Sequence, residues 1–432
     1  MSRNTVTLRG LAEAMSSNSS PMGQELNEMI EYIKNRGLTT VFWNKEDPIN
    51  YDIFIKSARR FDYIFTSDEN IIPKYIEECG HDRVFPLEFA CEPRLHNPIR
   101  NRLYERDLSF AGAWYERGYE NRKEQMRLLL DASMNYKLDI FDRFFDDESP
   151  NKFPKKYQGF VRGSLTYDEA RTTYRMYKAV LNVNTIQDSP TMFSRRVYEV
   201  MASSTCVIST PSVGVEAFEN GVFVVRNKKE AKETIDKLME NKLLREKEAH
   251  LGYRNVMTNH TYKKRVKFIL EKIGMIGEAE KDAPLVSLVC VSNRPSMVDN
   301  IVANFERQEY GNLELLLCMT ASNNDIKKIR KKIINPRIKL VRVGKSLSLG
   351  GCLNRGFSRA RGEYIGKFDD DDYYGSHYVS DQMICFDFSD ADIVGKTSIF
   401  MHNGHDGNVY RRYPENSHRF QRLVLGPTIL IK

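Results

Sequence analysis

The sequence lacks any pair of cysteines with the spacing of a metal or redox site. Its seven cysteines occur singly, and several lie in apolar runs, as Cys290 and Cys318 do. Without a Cys-x-x-Cys pair, neither a zinc ribbon nor a thioredoxin-like site is supported. Cysteines in such surroundings are expected to be buried, reduced thiols.

Long apolar runs are missing as well. No stretch approaches the roughly 18 apolar residues that a membrane span needs, and the first twenty residues, MSRNTVTLRGLAEAMSSNSS, contain no apolar core of a signal peptide. We therefore expect a cytoplasmic protein, although association with a membrane surface is compatible with the composition.

Two further patterns are absent. His96, His402 and His405 do not have the spacing of metal ligands. Ser292-Asn293-Arg294-Pro295, which follows a predicted strand, is not a glycine-rich phosphate loop, and this disfavours a nucleotidyltransferase.

The composition is that of a globular protein with several domains. The residues are 41% hydrophobic and 11% aromatic. A chain of 432 residues is too long for one ordinary core, which predicts two or three domains. The net charge of +7 is modest and its Lys and Arg are mixed with Asp and Glu. Nucleic acid is therefore not an expected partner, whereas anionic ligands remain open.

Strands alternate with helices along the chain, which predicts an α/β fold of doubly wound type, with ligands at the carboxyl ends of the strands. Predicted strands cover 38–43, 63–66, 108–112, 179–183, 206–209, 286–291, 313–319, 338–343 and 362–368, and predicted helices cover 25–35, 71–79, 120–138, 195–202 and 228–272. We expect a mobile lead-in at 1–22, a partial Rossmann-like region at 23–106, a second such domain at 107–273, a linker at 274–283 and a further α/β domain at 284–432.

Four consecutive carboxylates, Asp369 to Asp372, follow the last of these strands. They are flanked by Phe368, Tyr373 and Tyr374, whereas a solvated acidic loop is normally flanked by small and charged residues. Clustered carboxylate oxygens suit Mg²⁺ or Mn²⁺, which usually also hold phosphate groups. An EF-hand loop is excluded, because the required sixth-position glycine and twelfth-position glutamate are Tyr374 and Ser380.

Residues 284–432 resemble the family-2 glycosyltransferases of the GT-A fold. The segments that carry the resemblance are VSLVCVSNRP, NFERQEYGNLELLLC and SLGGCLNRGFSRARGEYIGKFDDDDYY. The resemblance implies that Asp369 and Asp371, with Asp372 behind them, hold a divalent metal on the diphosphate of a nucleotide-sugar. It further implies that the donor is bound by Asn293, Arg294, Asn354, Arg355, Asp369, Asp370 and Asp371. Taken singly, each of the four non-acidic residues is equally well explained as a loop cap.

The resemblance is incomplete in two places. The second strand ends in Cys318-Met319-Thr320-Ala321-Ser322 instead of paired acidic residues, which leaves the nucleotide base open. The carboxylate that serves these enzymes as general base is not evident after 426–431, so the catalytic residue is unknown. The chain is then truncated, or its domain only binds, or Asp392, Asp406 or Glu415 takes the role.

Residues 41–270 resemble the GT-B-like C-terminal module of the CgeB-like spore-maturation group. The segments concerned are FWNKEDP, DYIFTSDENIIPKYIEECG, SFAGAWYERGYENRKEQM, LNVNTIQDSPTMFSRRVYEVMASSTCVIST and NHTYKKRVKFIL. The resemblance implies that Arg196 and Glu199 lie in a second donor site, where they would meet a diphosphate and ribose hydroxyls. The alternative is a surface ion pair on one helix face. The N-terminal half preceding Leu108 is short for a complete acceptor domain.

The two resemblances imply a GT-B-like, Rossmann-type module followed by a GT-A-type nucleotide-diphospho-sugar transferase fold. The implied activity is a glycosyltransferase that uses Mn²⁺ or Mg²⁺ and a UDP-sugar, with a bacterial spore or cell-surface glycan, or a lipid-linked glycan, as acceptor. The alternative is a non-catalytic nucleotide-sugar-binding protein that supports assembly of a spore or surface layer, at the membrane or in the forming spore. The sugar, the linkage and the oligomeric state stay open.

Overall fold

The computed structural model describes residues 20–100, 106–276 and 283–432. These residues form two compact units, one of 20–98 with 106–276 and the other of 99–100 with 283–432. The predicted lead-in at 1–22 and the predicted linker at 274–283 fall mainly on residues 1–19 and 277–282, which lie outside the described residues.

The first part of the first unit is a small parallel sheet of three strands in the order β1-β2-β3 with three helices. Its core contains Phe42, Ile64 and Tyr75, and helix α3 ends at Gly80 in the left-handed conformation that favours glycine. The elements are α1 (Pro21–Asn35), β1 (Val41–Asn44), α2 (Tyr51–Ala58), β2 (Tyr63–Thr66), α3 (Ile72–Cys79) and β3 (Val84–Pro86).

The second part of this unit is a parallel sheet of six strands in the order β6-β5-β4-β7-β8-β9. Its central strands are almost wholly buried, as expected of a parallel sheet covered by helices on both faces. The elements are β4 (Arg106–Gly112), α4 (Glu120–Ser133), β5 (Leu138–Asp142), β6 (Val161–Gly163), α5 (Tyr167–Thr173), β7 (Tyr177–Asn182), α6 (Arg196–Ala202), β8 (Cys206–Ser209), α7 (Val213–Glu216), β9 (Val222–Val224), α8 (Lys228–Glu240), α9 (Lys242–Asn259) and α10 (Tyr262–Lys272).

The second unit contains a mixed sheet of six strands in the order β12-β11-β10-β13-β17-β14 and a separate two-stranded hairpin, β15-β16. Strands β10 to β13 are parallel, whereas β17 runs antiparallel to both β13 and β14. The elements are β10 (Val286–Ser292), α11 (Val298–Glu306), β11 (Leu313–Met319), α12 (Asn323–Lys332), β12 (Ile338–Arg342), α13 (Leu349–Phe357), β13 (Tyr364–Phe368), α14 (Tyr378–Phe388), β14 (Ile393–Val394), β15 (Ile399–His402), β16 (Val409–Arg412) and β17 (Leu430–Ile431).

Three predicted strands, 63–66, 206–209 and 313–319, match the structure at both ends. The other predicted strands and helices differ from the structure at one end or both. Helix α1 begins four residues earlier than predicted, because Ser20 caps it by accepting from the main-chain N–H of Gly23. The helix predicted over 120–138 ends at Ser133, and Leu138 instead begins a strand.

The long charged helix predicted over 228–272 is three helices. Asn241 and Thr261 interrupt it, because each side chain caps the helix that follows by accepting from a main-chain N–H, that of Leu244 or Lys264. Residues 426–431 form a short turn of helix at Gly426–Thr428, followed by β17.

All seven cysteines are free, and five of them are buried. Burial raises the pKa of the Cys206 thiol to about 12, so this thiol stays protonated and packs as an apolar group. Among the described residues, none of the helices has the length and apolar character needed to cross a bilayer.

Candidate functional sites

The aspartate run lies at the carboxyl edge of the mixed sheet in the second unit. Strand β13 ends at Phe368, and its parallel neighbour β10 pairs Cys290 with Phe368 and ends two residues later, at Ser292. Loops that leave adjacent parallel strands at the same edge form the usual ligand crevice of such sheets. The topology therefore brings Ser292 and Arg294 to the aspartates.

Asp370 points into the protein and is only 7% exposed. Its carboxylate accepts hydrogen bonds from Ser292 Oγ at 2.5 Å and from Arg294 Nε at 2.9 Å, and a second Arg294 nitrogen contacts its other oxygen. Burial raises the pKa of Asp370, but the bonds from Arg294 and Ser292 outweigh burial and hold this pKa below its usual value. Asp370 is thus a charged support for Arg294.

The neighbouring carboxylates also have cationic partners within the chain. Arg294 Nη2 lies 2.9 Å from Asp371 Oδ2, and Lys367 Nζ lies 2.5 Å from Asp369 Oδ1. Asp371 is nevertheless exposed, with 56% of its side chain accessible to solvent. The negative charge of the aspartate run, which led us to expect a bound cation, is therefore partly neutralised by Arg294 and Lys367 of the same chain.

Asp372 is the carboxylate in this run whose charge is least compensated. Partial desolvation, followed by the negative charges of Asp369 and Asp371, raises its pKa. The loop around it is held rigidly, since the amides of Asn300 and Asn304 both donate to its main-chain oxygen. An additional cation at this position would lower the repulsion.

The described residues contain no group of three or more His, Cys, Asp or Glu side chains placed to hold a metal ion. Asp369, Asp371 and Asp372 therefore do not form a three-ligand cage by themselves. Mg²⁺ usually takes only one or two protein carboxylates and completes its shell with waters and substrate phosphates. Asp369 and Asp371 fit an ion of that kind.

The other residues predicted for this site lie in two different places. Asn293 is exposed next to Arg294. Asn354 and Arg355 lie within helix α13, where both side chains are exposed. No hydrogen bond or ion pair joins either side chain to the aspartates within the described part of the chain, and their part in donor binding stays a prediction.

No hydrogen bond or ion pair joins the three candidate bases to the run within the described residues. Asp392 directly precedes β14. The first residue of β14, Ile393, and Ile365 of β13 both pair with Ile431 of β17, so they are at the same level of the sheet. Asp392 therefore lies toward the opposite edge of the sheet from Asp369. Asp406 accepts from the Tyr410 hydroxyl in the β15-β16 hairpin, and Glu415 is exposed beyond it. None of them is identified as a catalytic base.

The first unit contains a cavity of about 450 Å³ at the carboxyl ends of its strands. Its charged lining is dominated by cations, namely Lys45, Arg122, Arg143, Arg195 and Arg196, against the carboxylates Glu46 and Glu199. The cavity thus suits an anionic ligand of the size of a nucleoside diphosphate derivative.

Glu199 is buried at 3% exposure and is paired with Arg195, whose Nε lies 2.7 Å from Oε1. The alternative of a surface pair with Arg196 does not describe this geometry, because Glu199 is buried and also accepts from the Tyr174 hydroxyl at 3.2 Å. Arg195 lies four residues before Glu199, one of the two spacings that place side chains on the same face of a helix. Donor binding by Arg196 and Glu199 stays a prediction.

Arg122 and Arg196 carry uncompensated positive charge into the cavity. The Nε atom of each is buried and has no hydrogen-bond partner among the described residues. Burial, together with the charges of Arg196 and Arg143, lowers the pKa of Arg122 to about 10. An anion would satisfy both unpartnered nitrogens.

The sequence-based prediction for this site included Arg196 and Glu199 but missed Lys45, Arg122, Arg143 and Arg195. One signal was available, since Arg122 is the third residue of helix α4, directly after the β4 loop, where helix N-termini attract anions. The Arg122 side chain passes close to Gly112. A Cβ at position 112 would lie 3.6 Å from a terminal guanidinium nitrogen of Arg122.

His96 supports Glu199 from behind the cavity and is 1% exposed. Its Nδ1 accepts from the main-chain N–H of Glu92, which leaves the proton on Nε2, 3.1 Å from the Tyr167 hydroxyl and 3.6 Å from Glu199. Burial lowers the pKa of His96, and the facing Glu199 only partly opposes this effect. These contacts give His96 a structural role behind the cavity.

Two family models match the chain, one in each unit. Residues 94–271 match the family described as glycosyl transferase-like, and residues 288–431 match glycosyl transferase family 2. No curated protein sequence matches the chain.

Among solved structures, the similarities are partial. Residues 1–349 of S. aureus TarS are 16% identical over 25% of this chain and 34% of that one, with a TM-score of 0.24. The mannosyltransferase PcManGT from Pyrobaculum calidifontis, in complex with GDP-Man and Mn²⁺, is 13% identical over 39% of this chain and 51% of that one, with a TM-score of 0.28.

Anabaena Alr3699/HepE in complex with UDP and glucose is 11% identical over 63% of this chain and 84% of that one, with a TM-score of 0.42. The chain thus spans about a third to a half of the length of TarS 1–349 and PcManGT. Taken with the two family models, the α/β architecture identifies a GT-B-like glycosyl transferase-like domain over residues 94–271, followed by a GT-A-like glycosyltransferase domain of family 2 over residues 288–431.

Proposed function

We propose that this chain transfers a sugar from a nucleotide-sugar, with a UDP-sugar as the expected donor, to a glycan of a bacterial cell or spore surface. The observation that carries the proposal is the aspartate run at the carboxyl edge of the family 2 domain, held against Arg294 and Lys367. This edge is where an α/β sheet binds its ligand.

Each residue at this edge has a distinct part in donor binding. Asp369 and Asp371 would hold Mn²⁺ or Mg²⁺, which would offset the negative charge that develops on the departing nucleotide diphosphate. Asp370 anchors Arg294, so the guanidinium stays at the mouth of the site, where it can also face a phosphate. Asn300 and Asn304 fix the loop that presents the carboxylates.

We infer that the cavity of the first unit binds a second nucleotide-sugar or its diphosphate. Arg122 and Arg196 each supply an Nε donor that has no partner among the described residues, and Arg143 adds a third positive charge. Glu199, which faces the same cavity from α6, would accept from a hydroxyl of the ligand. The excess of positive charge supports an anionic ligand over a neutral sugar.

A non-catalytic nucleotide-sugar-binding protein is the second candidate. It is favoured by the position of Asp392 toward the opposite edge of the sheet and by the Tyr410 hydroxyl, which already donates to Asp406. Such a protein would bind the donor with metal but would not release or transfer its sugar.

The test compares metal-dependent hydrolysis of a panel of nucleotide-sugars by the full chain, Asp371→Asn and the control Asp390→Asn, an exposed carboxylate of the same unit. We expect Asp371→Asn to lower the Mn²⁺-dependent rate by roughly a hundredfold, the usual size of an electrostatic contribution to a transition state. The control should keep the rate of the unmodified chain.

Binding without turnover supports the second candidate. If no nucleotide-sugar binds with or without Mn²⁺, both candidates are wrong. Isothermal titration with the same panel separates these outcomes.

A further inference from the structure

The segment from 396 to 425 in the second unit exposes large apolar side chains at a higher density than the rest of the described residues. Of the 25 large hydrophobic side chains that are exposed in the described residues, eight lie between 393 and 423, and Phe420 and Leu423 are 69% and 82% exposed. Soluble surfaces rarely gather such side chains without a partner. The eight are Ile393, Phe400, Met401, Val409, Tyr410, Tyr413, Phe420 and Leu423.

This segment emerges beside the aspartate run. Strand β14 is parallel to β13, since both are antiparallel to β17, so the chain leaves β14 at the same edge at which β13 delivers Asp369. It returns through Pro427, whose carbonyl oxygen accepts from the Tyr374 hydroxyl, and that same hydroxyl accepts from the main-chain N–H of Asp369. The exposed surface therefore adjoins the proposed donor site.

The segment is one connected surface. The hairpin β15-β16 is joined to the following turn through Arg411, whose guanidinium donates to Ser398 Oγ and Ser417 Oγ at 3.3 and 3.2 Å. The turn is joined back to the start of the segment through Thr397 Oγ1, which donates to the carbonyl oxygen of Leu423 at 3.1 Å. We call residues 396–425 the edge platform.

The edge platform is also cationic. It contains Lys396, Arg411, Arg412, Arg419 and Arg422 against Asp406 and Glu415, a formal charge of +3. Asp406 is occupied by the Tyr410 hydroxyl, and Arg412 lies over the ring of Tyr413. No ion pair joins Arg412, Arg419 or Arg422 to a carboxylate within the described residues.

We propose that the edge platform docks on the surface of an anionic lipid bilayer. Exposed Phe and Leu side chains that alternate with arginines match the acyl boundary and the phosphate headgroups of a membrane interface. A second copy of the chain fits less well, because two such surfaces would bring like charges together. A free glycan would leave Leu423 and Val409 uncovered.

The proposal rests on the proposed function, because docking at this edge would present the donor site to an acceptor carried on a lipid. It names the location of the acceptor and not its sugars. Docking itself requires neither donor nor metal, so it can be measured separately from transfer.

The experiment measures cosedimentation of the full chain with vesicles of equal parts phosphatidylglycerol and phosphatidylcholine, and with vesicles of phosphatidylcholine alone. We expect binding to the anionic vesicles only, weakened by salt. Phe420→Ser with Leu423→Ser should weaken binding by about tenfold or more, given the area these side chains would bury. The control Leu243→Ser with Val266→Ser alters exposed side chains of the first unit and should have no effect.

A second pair of variants tests the charges. Arg419→Gln with Arg422→Gln should weaken binding by roughly thirtyfold, since each of the two basic residues near an anionic surface contributes about 1 kcal/mol. Lys327→Gln with Lys328→Gln removes the same charge from the exposed face of α12 and should leave binding intact.

The proposal is overturned if the Lys327 and Lys328 variants lose as much binding as the Arg419 and Arg422 variants, or if neutral vesicles bind equally well. It is also overturned if Phe420→Ser with Leu423→Ser abolishes a dimer seen by sedimentation without vesicles, because the surface then belongs to a second copy. Asp371→Asn should bind the vesicles as the unmodified chain does. Vesicle binding can therefore be interpreted even if no sugar transfer is observed.

Discussion

At the scale of single residues, Arg122 and Arg196 bring positive charge into a cavity in which their Nε atoms have no hydrogen-bond partner among the described residues. In the second unit the reverse holds, since Arg294 and Lys367 are already paired with the aspartates. A ligand in the first cavity therefore adds bonds, whereas a metal at the aspartates must compete with Arg294 for Asp371. The two sites should respond differently to chelation of divalent ions.

Arg122→Met is expected to weaken binding of UDP to the first unit by roughly tenfold or more, because a hydrogen bond to a charged group contributes about 1.5–3 kcal/mol. The measurement is isothermal titration with divalent ions chelated, which suppresses the metal-dependent binding expected at the aspartates. The matched control is Arg127→Met on the same helix, an exposed arginine over the Trp114 ring. An equal loss of UDP affinity in both variants would show that Arg122 does not contact the ligand.

At the scale of elements, Glu314 ties together the amino ends of three strands of the second unit. It is 3% exposed on β11 and accepts from Ser287 Oγ of β10 at 2.7 Å and from Lys339 Nζ of β12 at 2.6 Å. Arg361, in the connection before β13, donates to it from both its main chain and its guanidinium. This carboxylate fixes the register from which β13 carries the aspartates to the opposite edge.

Glu314→Gln should lower the free energy of unfolding of the second unit by about 2 kcal/mol at pH 7, through the loss of charge-assisted hydrogen bonds. Burial raises the pKa of Glu314, but the bonds from Lys339, Ser287 and Arg361 outweigh burial and bring it to about 2, from a usual value of 4.5. The folded-state pKa is depressed, so the contribution is complete above 4.5 and is lost as the pH falls towards 2.

Urea unfolding at several pH values measures this difference between the unmodified chain and Glu314→Gln. Glu363→Gln, an exposed carboxylate next to β13, serves as the control and should change stability by less than about 0.5 kcal/mol. A difference between the unmodified chain and Glu314→Gln that stays constant down to pH 3 would contradict the assignment.

Gly356 sets the distance between helix α13 and the sheet. A Cβ at this position would overlap Val289 Cγ1 and lie 3.0 Å from Cys318 Sγ. Gly356→Ala is therefore expected to cost about 1–3 kcal/mol by overpacking.

Gly350→Ala in the same helix meets no atom within 4 Å and should instead stabilise, by up to about 1 kcal/mol from helix propensity. Denaturant midpoints of the two variants give opposite signs if the packing is as described. The same sign in both would show that α13 can move away from the sheet.

At the scale of the whole molecule, each unit has its own hydrophobic core, one around Leu108, Phe110 and Met126 and the other around Leu288, Phe305 and Phe368. We expect calorimetry to resolve two unfolding transitions. Gly214→Ala, whose Cβ would lie 2.5 Å from the Pro190 carbonyl oxygen, should lower one of them. Gly356→Ala should lower the other, and a joint shift of both transitions would contradict separate cores.

Much of this molecule follows from local pattern. Buried parallel strands such as 206–209 and 313–319 are short apolar runs. A run of that kind predicts a strand without knowledge of its tertiary contacts. The aspartate run was also visible, because four adjacent carboxylates flanked by aromatic residues fit no packing role. Helix ends were less accurate, since Ser20, Asn241 and Thr261 act through single capping bonds.

The sequence by itself determined the alternation of strands and helices and the acidic end of β13, because these depend on periodicity and adjacency along the chain. The two glycosyltransferase domains followed from the resemblance of its segments to known families. Only the tertiary structure decided which charges meet. Arg294 lies 76 residues before Asp370. Arg122 reaches the cavity of Arg196 from helix α4, and Arg143 reaches it from the end of β5. Electrostatic pairing depends on distance in space, which chain order does not encode.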